Sequence, residues 1–261
     1  MSEILDAYLA TPPLARTTTT AVVVTSFSIW LFGRLDLGTV CYLPGWYLAF
    51  PPEIWRLVTT FLISMPRQGL IFDPYFIYQY LKQLETGNPK FNRKEDVAWY
   101  LITVCGMILL ANAYYLGEPM LLGAFSMALC YTAHQDMRGQ KSQFVFFTVP
   151  SQAVPYCQLL MSLLVGGWSV QSQIAGILAA HMHDFLTRLY PQFGGGANLL
   201  PTPGILSYLV ETPRFLRRDY GTAVRPSAAG TSSGSTTGAS TGSVLPDSWR
   251  TRGSGHRLGG D

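Results

Sequence analysis

The sequence predicts an all-α membrane protein, with six transmembrane helices followed by a disordered cytosolic tail. Three observations predict it. Of the 261 residues 48% are hydrophobic and only 13% charged, whereas an average soluble domain carries roughly 25% charged residues. Uncharged stretches recur at lengths suited to an apolar core of about 30 Å, which takes roughly 20 helical residues to cross. From Gly221 onward Ser, Thr and Gly dominate, a composition that cannot bury enough apolar surface to fold.

The elements follow in order. Residues 1–16 contain Glu3 and Asp6 and lack a basic region leading to a small-residue cleavage site. They do not read as a cleaved signal peptide, so the first span, residues 17–33, is expected to stay as an anchor. The loop over 34–56 is crowded with Tyr42, Trp46, Tyr47, Phe50 and Trp55 and broken by Pro44, Pro51 and Pro52. Amphipathic rings of this kind settle at the headgroup region. The second span, 57–84, is the least regular, being interrupted at Met65-Pro66-Arg67-Gln68 and again at Asp73-Pro74. The third and fourth spans are read at 97–117 and 119–135. The stretch 142–183 is too long for one helix, and Gly166-Gly167-Trp168 offers a turn that divides it into the fifth and sixth. The first and fourth spans reach roughly 25 Å at 1.5 Å per residue. Either the bilayer thins around them or the helices extend into their charged flanks.

Three regions result. Residues 1–200 form the membrane domain. Residues 201–220, apolar early and basic late, suit an amphipathic segment on the cytosolic leaflet. Residues 221–261 form the disordered tail, which stops being low-complexity at 253–260.

Orientation follows from the loops. With a cytosolic N-terminus, cytosolic connections hold Lys90, Arg93, Lys94, Arg138, Lys141, Arg214, Arg217 and Arg218, and the opposite side holds Arg34 and Arg56 in one long loop. The positive-inside rule therefore places both termini in the cytosol. A net charge of +3, without a basic stripe interleaved with aromatics, argues against nucleic acid as a partner. Cys41, Cys105, Cys130 and Cys157 are scattered and read as free thiols rather than disulfides or a metal site.

Several residues carry candidate chemistry. Arg56, after Trp55, stands where an arginine can satisfy loop carbonyls facing lipid, although an interfacial Trp beside a snorkelling Arg is the simpler account. His181, His183 and Asp184 invite a metal, but residues two apart on a helix point away from one another. Lys82 is placed at the cytosolic boundary, and Asp73 is the ionisable residue that most calls for a functional reading inside a span. Ser126 on the fourth span and His181 on the sixth are the pair an intramembrane serine protease would need in contact. Gly176 and Ala180 form a small-xxx-small pair that lets helices approach. Asn112, Gln152, Gln158 and Gln173 either bond between helices or line a wet cavity, and the sequence leaves that choice open.

The stretch Trp55-Arg56-Leu57-Val58-Thr59-Thr60-Phe61-Leu62 resembles the Trp-Arg motif of the derlins, rhomboid-like pseudoproteases of the endoplasmic reticulum. The likeness continues through Tyr78-Gln79-Tyr80, Leu84-Glu85 and Gly87, then Phe125, Tyr131, Gly176 to His181, Pro191, Thr202-Pro203 and Thr212-Pro213. It covers about residues 1–215. Gly255, His256, Arg257, Leu258, Gly259 and Gly260 look like the SHP box, with Trp249 as its upstream aromatic and His256 where the family has Gln.

This resemblance implies a rhomboid-like bundle in the endoplasmic-reticulum membrane. It implies a role in degradation of misfolded proteins, assisting their retrotranslocation to the cytosol. The implied partners are the AAA+ unfoldase valosin-containing protein, bound through the tail, a ubiquitin ligase complex, misfolded substrates and the lipid bilayer itself. Homo- or hetero-oligomerisation is left open. Active rhomboid proteases carry Gly-x-Ser-Gly on the fourth span; here Gly123-Ala124-Phe125-Ser126-Met127 stands instead. No covalent catalysis, cofactor or metal is expected. The alternative is an active rhomboid serine protease using Ser126 and His181. A solute transporter, the third class, lacks paired broken helices in two related halves.

Overall fold

The structure, a computed structural model, describes residues 6, 8–45, 53–86, 88, 90, 91, 93–137, 139–145, 147–165, 167–193, 198–204 and 206. All of them lie within the unit Met1–Arg218. Among the described residues six helices have 12 residues or more: α1 (Pro13–Trp30), α2 (Gly69–Thr86), α3 (Lys94–Ala111), α4 (Leu122–His134), α5 (Val154–Val165) and α6 (Val170–Asp184).

Their ends have local causes. α1 opens on Pro12-Pro13, where the missing N–H of proline costs nothing. It has no capping side chain of its own. Instead Glu85, in the last turn of α2, accepts the N–H of Leu14 at 3.2 Å and of Ala15 at 3.0 Å, placing a carboxylate at the positive end of the helix dipole. Glu95 and Asp96 do the same in the first turn of α3. That helix ends through a π turn, Asn112–Leu116, closed by Gly117 at φ 65°, a left-handed position suited to glycine. Ser169 caps α6 by accepting the Ser172 N–H at 3.2 Å.

α4 is the central helix. Every residue in it except Tyr131 is buried, which is the pattern of a helix packed on all sides. It contacts α2, α3, α5 and α6, while α1 lies against α2 and α3 against α6. The closest approach is at Gly176, where any Cβ would collide with the Ala124 carbonyl. Ile77, Leu81, Tyr100, Met127 and Leu129 fill the core around it. Large apolar side chains also cover the outside of the helices: Ile102 on α3, Leu160, Leu163 and Leu164 on α5, and Ile174, Leu178 and Met182 on α6 are all exposed. A surface of this kind faces something other than water.

The structure departs from the sequence expectations in three places. Residues 142–150 are not the start of a helix. Lys141–Phe144 (β1) and Phe147–Pro150 (β2) pair as an antiparallel hairpin with Phe144 opposite Phe147, so the fifth helix starts only at Val154. The turn is reached through Val145 at φ 51°. Second, α2 runs unbroken through Pro74, although proline there leaves the Leu70 carbonyl without its N–H partner in the ladder. The break at 65–68 is present, with Arg67 at φ 65°, and leaves Arg56–Thr59 as a separate short helix. Third, among the described residues only the helical run Lys94–Leu116, with mean hydropathy 1.7, is long and apolar enough by itself to cross a membrane. α4 and α5 have 13 and 12 residues, whereas α6 continues through a π turn, Phe185–Leu189, into Tyr190–Phe193.

Candidate functional site

The Trp55-Arg56 pair is positioned by a turn fifteen residues earlier. A short helix, Leu37–Val40, leaves its last carbonyls without helical partners, as every helix end does. Four consecutive carbonyls there are taken by three side chains. Arg56 Nη1 donates to the Gly38 oxygen at 2.5 Å and the Cys41 oxygen at 2.7 Å. Trp55 Nε1 donates to Thr39 at 3.1 Å, and Thr59 Oγ1 to Val40 at 2.7 Å. Arg56 Nε also donates to the Glu53 carboxylate. Trp55 and Thr59, four apart, share a helix face, which is why both reach the same turn.

Arg56 is 4% exposed, so the snorkelling account does not hold. Its charge is spent inside, on an acid and two carbonyls. The clamp is tied to α4 as well, through Tyr42 N–H to Pro119 O at 2.8 Å and Leu121 N–H to Thr60 O at 3.0 Å.

Inside the bundle a polar chain crosses three helices. Tyr80 Oη donates to Gln158 Oε1 at 2.8 Å, and Gln158 Nε2 donates to Ser126 Oγ at 3.0 Å. His181 is elsewhere: it is exposed, with Nδ1 3.2 Å from the Tyr131 hydroxyl. Tyr131 stands five residues beyond Ser126 on α4, about 7.5 Å along the axis. A serine nucleophile needs a base within hydrogen-bond reach, and Ser126 instead receives an amide N–H. His183 is buried edge-on to the Tyr100 ring, with centroids 5.0 Å apart, so the two histidines occupy different surroundings.

A cavity of about 380 Å³ opens beside that chain, between α2, α5, α6, the loop at 65–69 and Trp168. Asp73 Oδ1 accepts the Trp168 indole N–H at 3.2 Å and Oδ2 the Met65 N–H at 3.1 Å. Gln173 Nε2 donates to Ser162 Oγ at 2.6 Å and to the Trp168 carbonyl at 3.3 Å. Trp168 packs where Gly123 has no side chain, and any Cβ there would strike the indole. Gln158 and Gln173 thus both bond between helices and line the cavity. The other two polar candidates do neither. Asn112 closes its own loop, donating to Glu118 O at 3.0 Å and accepting Glu118 N–H at 2.8 Å, and Gln152 is exposed in the turn Ser151–Ala153. Ala180 is 1% exposed in α6.

At the opposite end of the bundle an ion-pair cluster joins the loop before α3 to the ends of α4 and α6. Lys90 Nζ lies 3.1 Å from Asp136 and 3.0 Å from Asp184, and Arg188 bridges the same two carboxylates at 3.1 and 3.0 Å. Burial works to raise the Asp184 pKa, but Lys90, Gln135 and Arg188 outweigh it and hold the carboxyl below its ordinary value. The sequence offered no signal for this cluster, because its members are far apart along the chain. Residues 253–260 of the tail lie outside the described residues.

The profile of the Der1-like family matches residues 11–204. The chain belongs to that family. Among derlins it is 30% identical to derlin-1 of Homo sapiens over 213 residues, covering 79% of this chain and 82% of that protein. Derlin-2 of Oryza sativa subsp. japonica is 27% identical over 249 residues, 89% of this chain and 94% of its own length. Derlin-2.2 of Zea mays is 27% identical over 215 residues, 77% and 84% respectively. As a derlin the chain is a membrane protein, which accounts for the apolar outer surface of its helices.

Proposed function

We propose that this derlin is a noncatalytic retrotranslocation factor of the endoplasmic-reticulum membrane. Both termini face the cytosol, the Trp55-Arg56 clamp and the Asp73 cavity face the lumen, and the Lys90–Asp184 cluster marks the cytosolic end. All six helices cross the bilayer. The shortness of α4 and α5 carries the reading: at 1.5 Å per residue they reach about 20 Å, well under a hydrocarbon core of about 30 Å. A bilayer thinned to match presents a shallower barrier to a misfolded chain, and the polar chain from Tyr80 to Ser126 keeps the interior receptive to peptide groups.

The tail supplies the pull. Gly255, His256, Arg257, Leu258, Gly259 and Gly260 form a docking peptide for the amino-terminal domain of the AAA+ unfoldase, and a ubiquitin ligase complex marks the emerging chain. Truncation after Arg252 is expected to abolish co-purification of the unfoldase while membrane insertion stays intact. Undiminished co-purification would remove the peptide from the account. The protease alternative is disfavoured by the separate partners of Ser126 and His181.

A further inference from the structure

The cavity beside Trp168 has acceptors to spare and its inner donors are committed. Asp73 is 9% exposed and, among the described residues, makes no ion pair. Its carboxylate offers about four lone-pair sites, and two neutral N–H groups use only part of them. Gln173, 2% exposed, lines the same cavity, and its Oε1 has no hydrogen-bond partner there. The Gln173 amide N–H groups point to Ser162 and the Trp168 carbonyl, and the Trp168 indole N–H is spent on Asp73. Arg67 stands exposed at the rim and does not pair with Asp73. A buried carboxylate without a cation is costly, and a cation carrying hydrogen-bond donors would offset that cost and fill the spare acceptors.

The walls define the rest of the ligand. Phe72, Phe76 and Met161 line the cavity together with Asp73, apolar walls suited to an aliphatic stem with a charged tip. The Trp168 ring adds a surface that attracts cations. We infer that this cavity receives a single alkylammonium or guanidinium side chain, from a lysine or arginine of a polypeptide segment within the membrane. A lipid ethanolamine group fits worse, because its short stem would bring the attached phosphate anion up to Asp73. The inference rests on the retrotranslocation reading only for the polypeptide that carries the cation; the cation site stands without it.

The test uses the full chain in phosphatidylcholine nanodiscs, with n-butylammonium, n-butylguanidinium and neutral n-butanol as probes, followed by ligand-detected NMR. Saturable binding of both cations is expected, at least tenfold tighter than butanol. Asp73→Asn should weaken it at least tenfold. Met161→Lys, a tethered ammonium of similar length, should block the probes while keeping or raising the thermal unfolding midpoint. This second variant keeps the test decisive if the Asn form does not fold. Equal binding of butanol, or full cation binding by folded Met161→Lys, overturns the site. A membrane peptide with one lysine should compete with n-butylammonium, and its norleucine counterpart should not. Competition by phosphatidylethanolamine nanodiscs instead, with none from the lysine peptide, makes this a headgroup pocket and overturns the polypeptide assignment. Neither result depends on whether the chain supports retrotranslocation in cells.

Discussion

Arg56 shows how a motif residue acquires its meaning from a distant turn. Its guanidinium meets Gly38 and Cys41 carbonyls and the Glu53 carboxylate while 4% exposed. Removing one partner of a buried charged set leaves the others stranded, at a cost of about 3 kcal/mol or more. Arg56→Ala should therefore lower the thermal unfolding midpoint in nanodiscs markedly, and Arg56→Lys should recover only part of the loss, because an ammonium lacks the planar fork that spans three acceptors. An unchanged midpoint in Arg56→Ala would mean the clamp carries no stability. The sequence indicated that Arg56 could meet loop carbonyls, but not which ones, since Leu37–Val40 is a single turn with no periodicity of its own. It did separate His181 from His183, because an offset of two residues on a helix settles that without tertiary knowledge. Glu85 as the cap of α1 was illegible for the opposite reason: the two are joined only by packing.

Elements meet where side chains are missing or where charges converge. Gly176 lets α6 rest on the Ala124 carbonyl, so Gly176→Val should cost about 1–3 kcal/mol through overpacking. Midpoint measurements beside a Gly106→Val control, at a site with open space around it, separate this from a general glycine effect. The ion-pair cluster predicts a pH dependence. Asp184 has its pKa depressed in the fold, so its stabilising contribution is complete above the ordinary carboxyl value and is lost as pH falls through the lower folded value. The difference in unfolding midpoint between wild type and Asp184→Asn should be constant above about pH 5 and shrink toward zero in acid. A difference that persists unchanged in strong acid would contradict the pairing. The hairpin at 141–150 escaped sequence reading because Phe144, Phe147 and Val149 resemble the start of an apolar helix. Its polar alternation is too short to outweigh that resemblance.

For the whole molecule, the helical class and the positions of the long helices were legible, because apolar runs persist over many residues. The shortness of α4 and α5 was only partly legible. The hairpin removes residues that the apolar run alone would assign to the fifth helix. In the proposed role that shortness would thin the bilayer around the bundle, whose interior holds the buried polar chain Tyr80 to Gln158 to Ser126. The claim that binds these scales together is function without a nucleophile. It is tested most directly by following a misfolded membrane reporter in cells that depend on this chain, comparing Ser126→Ala with the wild type for both reporter half-life and fragment size. The account predicts no cleavage fragment in either case, whatever change in half-life follows from leaving Gln158 without its Ser126 acceptor. A fragment made by the wild type and lost in Ser126→Ala would contradict it.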